Sequence, residues 1–595
     1  VTMNVLGISA LYHDAAAAVC VDGRLEAAAQ EERFSRRKQD RTVPWRAARA
    51  CLDMTGLTIA DIDWVAFYED PAMKLDRQLS MAAAETRQEA VTELLGRTDP
   101  HRTYRALREG IGYDGPVRFL PHHLSHAASA FYFSGFQESA ILVLDAVGEW
   151  STSSYGFGST QSGIRLIEAD RYPHSLGLFY STVTSYLGFE VNEGEYKTMG
   201  LAPLGQPTLV DRLRRLIEWN DVGDIHLDLR YFDFMGLRRM WSDRLPELLG
   251  RPARGAGEPL ADWHADLARS AQVVLEEIVL RKADAVRKYS GAKNICLAGG
   301  VALNCVATGK LRATGMFDDI FVPPAAGDAG GAAGAAAQVS FDLGAPPPVE
   351  RLTHSYLGPE FSTARDIIPV MRAANLPYAD YRDRFDDLLD DVVARLMAGQ
   401  VIGWFQGRME FGPRALGARS ILADPRVPDM RDRINKLVKM REPFRPFAPS
   451  VLDRLASKYF TCDVPLPFML ETTRVRTDDL PAVTHVDGSA RVQTVHSGTN
   501  PRYARLLERF WERTACGVLL NTSFNQGGEP IVCTPTDALA CFARSGLDAL
   551  IMQDVLVDTD DVPPSWRQAV AARGFSSAQS DEPGVQRELA VYELA

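Results

Sequence analysis

The chain is poor in the residues that mark secreted, thiolate-metal or nucleic-acid-binding proteins. Eight cysteines in 595 residues, at 20, 51, 296, 305, 462, 516, 533 and 541, form no C-x-x-C pair and no disulfide-like spacing. They read as scattered buried thiols in a reducing cytoplasm, and cysteine is set aside as the metal ligand. Positive charge is also in deficit. With 65 Lys and Arg against 77 Asp and Glu the net charge is −12, so no global field draws the chain to nucleic acid or an acidic membrane. Long apolar runs are missing: "GGAAGAAAQVSF" is too short and too rich in glycine and alanine to span a bilayer. The opening "VTMNVLGISALYHD" enters a strand pattern with no charged n-region, which reads as no signal peptide. Histidine is scarce as well, yet three of the 11 fall within five positions, in "PHHLSHAASAF".

What is present is an ordinary globular composition, 46% hydrophobic and 24% charged, over a length that calls for more than one core. "NVLGIS" reads as a buried strand, "ALYHD" as a turn, and "AAAAVCV" and "RLEAAAQ" as strands joined by an Asp-Gly hairpin turn. "AILVLDAVGEWSTSSYGFGSTQSGIRLIEA" repeats strand, acidic turn and hairpin. Two such copies predict a duplicated α/β domain of the actin and sugar-kinase type, with a nucleotide or metal in the cleft between its halves. "NICLAGGVALNC" and "VPPAAGDAGGAAGAAAQ" are Gly-rich turns opening helices, where backbone N–H groups cradle a phosphate or glycine simply allows close packing. The expected boundaries are a first domain over 1–345, a Pro-rich linker over 346–356, a second α/β domain over 357–560 and an irregular tail over 561–595. Within the second domain "GVLLNTSFNQGGEPIV" predicts a strand, a polar turn and another strand.

His122 and His126 are i and i+4, so they share a helix face and suit two imidazole ligands on one metal. The alternative is one core histidine, one at the N-terminal turn and one solvated neighbour. Oxygen partners are expected at strand ends and turns: Asp145 in "ILVLDAVGE" and Asp328 in the second Gly-rich turn. Such a mixed N/O set suits iron(II), manganese or zinc, and the spacing does not choose among them. His123 points about 100° around the helix from His122, which gives it a supporting duty. His13, beside Asp14, is a candidate base for a hydroxyl proton; the alternative is a turn aspartate capping its own backbone beside a solvated histidine. Glu193, Glu195 and Lys197 read as a solvated loop or a lip over a nucleotide. In the second domain Arg414, Arg419, Lys439, Arg441, Arg445 and Arg491 lie among glycine, proline and aromatic residues with few acids between. They fit a pocket for several phosphates, with Ser523 and Asn525 as neutral donors, or else a network of salt bridges.

Several motifs, in order, carry a resemblance: "LGISALYHDAAAAV", "QEERFSRRK", "HHLSHAASAF", "GEYKTMGLAP", "LAGGVALNC", "GDAGGAAG" and "GRMEFGPRALGARSILADPR". Together they resemble the NodU/CmcH family of O-carbamoyltransferases from residue 4 to about 557. The first domain resembles the TsaD-type, actin-like ASKHA metalloprotein and the second resembles YrdC. The resemblance implies Fe2+, or another divalent metal, on His122, His126, Asp145 and Asp328, and His13 as base. It also implies Lys197, Gly299, Gly300 and Asn304 around a carbamoyl adenylate. In the YrdC-like domain it implies Lys439 and Arg441 as catalytic residues. Arg414, Arg445, Arg491, Asn521, Ser523 and Asn525 would join them in binding ATP, with Mg2+, and carbamoyl phosphate. The implied acceptor is a hydroxyl-bearing small molecule such as an antibiotic, sugar or polyketide. A monomer or homodimer in the cytoplasm, without nucleic acid or membrane, is expected. Two alternatives stand beside this: a tRNA threonylcarbamoyl-type fusion, against which the acidic balance counts, and a non-enzymatic actin-like ATP-binding module. Acceptor contacts are expected from residues 68–115 and 220–262, where Met240 and Trp241 lie with Trp263 just beyond.

Overall fold

The computed structural model describes residues 2–84, 99, 101–236 and 239–564. Residues 85–98, 100, 237 and 238 of the expected acceptor-contacting stretches, and 565–595 of the expected tail, lie outside the described residues.

The chain divides into two compact units, and the division corrects the expected boundaries. Of the described residues, the first unit takes those up to 28 and from 41 to 352, and the second takes 29–40 and those from 353 to 564. The expected 346–356 linker is split because its first half is bonded into the first unit. Leu352 N–H donates to the Phe133 carbonyl at 2.9 Å and Arg351 donates to the Ile320 carbonyl at 3.1 Å.

In the first unit β1 (Asn4–Ser9) pairs antiparallel with β2 (Ala16–Val21) and parallel with β4 (Trp64–Phe67). With β3 (Arg24–Gln30) and β5 (Val117–Phe119) the sheet order is β3-β2-β1-β4-β5. Asp22 and Gly23 both have positive φ, 49° and 79°, as a two-residue hairpin turn between right-twisted strands requires. The second sheet repeats the plan with β6 (Glu138–Leu144), β7 (Ser151–Ser159) and β8 (Gly163–Arg171), followed by a ribbon of β9 (Ile217–Trp219) and β10 (Ile225–Leu227). β11 (Asn294–Ala298) and β12 (Asp319–Phe321) then add parallel strands, so the order is β8-β7-β6-β11-β12. Each half is a three-strand meander extended by two parallel strands, which is the duplicated actin-like α/β architecture.

Small residues bring the two functional helices of this unit together. The helix Asp328–Asp342 packs on β1, on β2 and on the helix His122–Phe131. A Cβ on Gly334 would lie 1.8 Å from the Ser125 carbonyl oxygen, and one on Gly7 would lie 1.9 Å from that of Ala332. Only glycine permits these approaches, and they set Asp328 against the histidine helix. "GEYKTMGLAP" departs from the expected loop: it forms the helix Glu195–Leu201, and Glu195 accepts from Ser181 Oγ at 2.6 Å and from Asn192 N–H at 3.1 Å.

The second unit is built on β13 (Ala379–Asp380), β14 (Ile402–Phe405), β15 (Arg419–Ala423) and β16 (Ala448–Leu452). After a short ribbon of β17 (Thr473–Arg474) and β18 (Ser489–Ala490) come β19 (Gln493–Val495), β20 (Val518–Ser523), β21 (Ala549–Met552) and β22 (Val555–Asp558). The eight-stranded sheet runs β13-β22-β21-β14-β15-β20-β16-β19. Its core includes Trp404, Phe405, Leu520, Phe510 and Ile551. The strand expected after the polar turn of "NTSFNQGGEPIV" does not form. Pro530 offers no N–H to a ladder, and Val532 N–H donates instead to the Phe524 carbonyl at 3.0 Å.

Candidate functional site

In the first unit four buried side chains converge. His122 and His126 arise one turn apart on their helix, Asp145 follows β6, and Asp328 opens the Gly-rich helix. One donor atom from each lies within 4.8 Å of all the others. His122 Nε2 is 3.0 Å from His126 Nε2 and 3.1 Å from Asp145 Oδ2, and His126 Nε2 is 3.4 Å from Asp328 Oδ1. Two imidazoles with facing Nε2 atoms, completed by two carboxylates, form a donor set that fits a divalent cation. Burial opposes ionisation of Asp145, but hydrogen bonds from His122 and His126 outweigh it and hold the carboxyl well below the usual range. Burial lowers His126, but Asp145 and Asp328 prevail and raise it to about 9.

Supporting contacts hold this cluster in shape. Gly300 N–H donates to Asp145 Oδ1 at 3.1 Å, and Glu149 accepts the His122 N–H at 2.9 Å, at the start of the histidine helix. Sequence reading missed Glu149; its signal was an acid four residues after Asp145 in the same turn. His123 turns away to Ser154 Oγ at 2.7 Å, and burial drives its pKa down to about 3. His13 lies beside the cluster. Its Nε2 is 3.7 Å from Asp328 Oδ2 and its Nδ1 is 3.1 Å from Asp14 Oδ2. Burial lowers this imidazole, but the field of Asp328 and the bond to Asp14 raise it to about 9. Leu11 and Asp14 both adopt left-handed φ, 69° and 55°, a cost of about 1–3 kcal/mol each that tends to collect at functional turns.

The remaining expected residues of this unit have other contacts. Gly299, at φ 90°, would place a Cβ 2.2 Å from the Leu144 carbonyl, so glycine there serves backbone packing. Asn304 caps the helix Cys305–Ala313 by accepting from Ala307 N–H, and exchanges hydrogen bonds of 3.0 and 3.1 Å with Gln272. Lys197 sits with its ammonium 5.6 Å from the centre of the Phe189 ring.

In the second unit Lys439 is buried, and its Nζ donates to Ser523 Oγ at 3.1 Å, the Asn525 carbonyl at 2.9 Å and Asn525 Oδ1 at 2.7 Å. Burial first, then the charges of Arg441, Arg445 and Lys38, push this amine well below its ordinary value. Asn435 staples the adjoining loop by accepting from Arg441 Nε at 2.7 Å and donating to the Arg445 carbonyl at 3.1 Å. Arg414 occupies the loop between β14 and β15, where the buried Glu410 carboxylate accepts N–H bonds from Leu416, Ala418 and Arg419. Arg491 lies between β18 and β19.

Two members of the expected phosphate group are otherwise engaged. Arg419 is fully buried over the Phe405 ring and donates to the carbonyls of Gln406, Gly407, Ala418, Pro359 and Cys533, and burial lowers its pKa to about 10. It builds the loop and leaves no fork for phosphate. Asn521 spends its amide nitrogen on Ser450 Oγ and Gln493 Oε1, at 3.0 and 2.9 Å, inside the sheet.

A family model described as the carbamoyltransferase N-terminus matches residues 4–337, and one described as the carbamoyltransferase C-terminus matches residues 393–559. The chain belongs to the carbamoyltransferase family. The uncharacterized protein sll1178 of Synechocystis sp. is 43% identical, covering 93% of this chain and 96% of its own length. Nodulation protein NolNO of Sinorhizobium fredii is 39% identical, covering 95% of this carbamoyltransferase and 82% of its own length. Among solved structures, HypF of T. kodakarensis is similar with TM-score 0.29 and 13% identity, over 57% of this chain and 48% of that one. This carbamoyltransferase therefore spans about half of that HypF chain. Family membership makes the protein an enzyme, which removes the non-enzymatic alternative. No helix among the described residues is long and apolar enough to cross a membrane.

Proposed function

We propose that this carbamoyltransferase acts in two stages, the first of which consumes ATP. Around Lys439, water splits carbamoyl phosphate to carbamate and inorganic phosphate; a carbamate oxygen then attacks the α-phosphate of ATP, carbamoyl adenylate forms and pyrophosphate leaves. At the histidine cluster of the first unit, a hydroxyl of a small-molecule acceptor attacks the carbamoyl carbon, AMP leaves, and the hydroxyl proton passes to His13. The observation that carries this reading is the buried set His122, His126, Asp145 and Asp328 with His13 Nε2 3.7 Å from Asp328. These four residues would hold a divalent metal, Fe2+ by family resemblance, which when bound supplies Lewis-acid polarisation of the carbamoyl oxygen. Asp14 fixes the His13 ring so that Nε2 is the nitrogen presented for proton transfer. Asp328, engaged as a metal ligand, would hold the proton on His13 less strongly and so would free His13 to act as base. In the second unit Lys439, Arg441 and Arg445 would neutralise transferring phosphates, with Ser523 and Asn525 positioning the ammonium.

The experiment is pyrophosphate release from ATP that depends on carbamoyl phosphate. Lys439→Ala is expected to abolish it. His13→Asn is expected to keep it and to lose carbamoyl transfer to an acceptor. Equal loss of pyrophosphate release in both variants overturns the division of labour. Dependence on threonine and bicarbonate instead of carbamoyl phosphate overturns the substrate assignment.

A further inference from the structure

Residues 29–40 start with the last two residues of β3 and run on from it, yet they belong to the second unit. Their contacts fall on the two loops that carry expected phosphate ligands. The turn after β20, from Ser523 to Ile531, contains Gly527 and Gly528, a pair with high conformational entropy that needs anchors to hold one shape. Lys439 anchors its beginning: Nζ donates to Asn525 Oδ1 at 2.7 Å, and the Lys439 carbonyl accepts from Gly527 N–H at 3.0 Å. Arg36 anchors its end, because Nη1 donates to the Ile531 carbonyl and Nη2 to the Pro530 carbonyl, both at 2.7 Å. Arg36 Nε also lies 3.7 Å from Asp537 Oδ1. Arg33, 2% exposed, donates to the Gly412 carbonyl at 2.7 Å, two residues before Arg414. The short helix Glu32–Ser35 spaces these arginines, and Arg36 ends it in a left-handed conformation, φ 61°. Lys38 contributes to the positive field on Lys439.

We propose that Arg33 and Arg36 are positioning residues of the phosphate-handling site, holding the Arg414 loop and the Ser523–Ile531 turn; this rests on the proposed adenylate-forming role of Lys439. The segment 29–40 is then a working part of the adenylate-forming unit, although it lies in the N-terminal sequence. The "QEERFSRRK" motif has a function in this arrangement that the metal centre does not require.

The test uses the full chain, with Arg36→Ala, the conservative Arg36→Lys, and Arg37→Ala at the exposed neighbour. Two readouts are taken: the KM for carbamoyl phosphate in pyrophosphate release, and backbone amide exchange over residues 523–531. Arg36→Ala is expected to raise KM at least about tenfold, the worth of one charged hydrogen bond, and to speed exchange in 523–531. Arg36→Lys, which keeps one of the two bonds, should fall between it and wild type, and it carries the test if the alanine variant does not fold. Arg37→Ala should match wild type. A merely structural loss lowers the active fraction with KM unchanged, and that result overturns the inference, as does wild-type exchange in 523–531. Wild-type protein without carbamoyl-phosphate-dependent release overturns the function instead, and the exchange pattern then decides the positioning claim alone.

Discussion

His122 and His126 differ from His123 in what their ring nitrogens meet. The first two present Nε2 to each other and to carboxylates, whereas His123 is spent on Ser154 at 2.7 Å. Single substitutions should separate the two roles. After loading with Fe2+ and dialysis, His126→Ala and Asp328→Asn should retain at least about tenfold less metal than wild type, because losing even an outer contact of a metal site costs that much. His123→Ala should stay loaded and lose about 1 kcal/mol of unfolding free energy for the missing hydrogen bond. Metal analysis and denaturant unfolding check both; metal loss in His123→Ala as deep as in His126→Ala would count against the assignment. The arginines make the same point. Arg419 and Arg441 look alike in sequence, but one guanidinium is distributed among five carbonyls and the other is held by Asn435 beside Lys439.

At the scale of elements, the metal centre depends on a close approach of two helices. The run Asp328–Asp342 is rich in glycine and alanine, and Gly334 meets the Ser125 carbonyl where a Cβ would stand 1.8 Å away. Gly334→Ala alters no ligand, yet it must push Asp328 away from the histidines or distort one helix. We expect a loss of about 1–3 kcal/mol from overpacking, together with weaker metal binding. Urea unfolding and a metal titration measure the two effects. Wild-type metal affinity in a destabilised Gly334→Ala protein would show that helix spacing does not set the ligand geometry. The His13 turn is a second such element: the left-handed Leu11 and Asp14 hold it between β1 and β2.

Across the whole molecule the eight cysteines are buried, which agrees with their reading as structural thiols. Burial pushes Cys20, Cys296, Cys533 and Cys541 up to about 12. A thiol reacts as its thiolate, so a raised pKa lowers reactivity at every pH below it, and at pH 8 about one such group in ten thousand is ionised. Thiol reagents at pH 8 should therefore label the native protein slowly and all eight groups once it is unfolded. Rapid native labelling of Cys296 or Cys533, assigned by mass spectrometry, would contradict this burial.

The opening meander of each first-unit sheet was legible because buried apolar runs and the Asp22-Gly23 turn are local signals, and repeating them disclosed the duplication; the short strands β4, β5 and β12 carry too few residues to show such a pattern. The i, i+4 histidines were legible for the same reason: helix geometry alone puts them on one face. Convergence of Asp145 and Asp328 on those histidines is different in kind, since it comes from sheet order and from glycine contacts between remote segments. Residues 29–40 fall inside the expected first domain because they adjoin it along the chain, whereas hydrogen bonds to the carbonyls of Gly412, Pro530 and Ile531 tie them to the second unit. The sequence by itself determined which strands, turns and reactive side chains exist, because those depend on neighbours along the chain. Tertiary structure decided how closely the expected carboxylates Asp145 and Asp328 meet the histidines, and which arginines bond backbone rather than stay near Lys439, because burial and hydrogen-bond partners are set by residues far away in sequence.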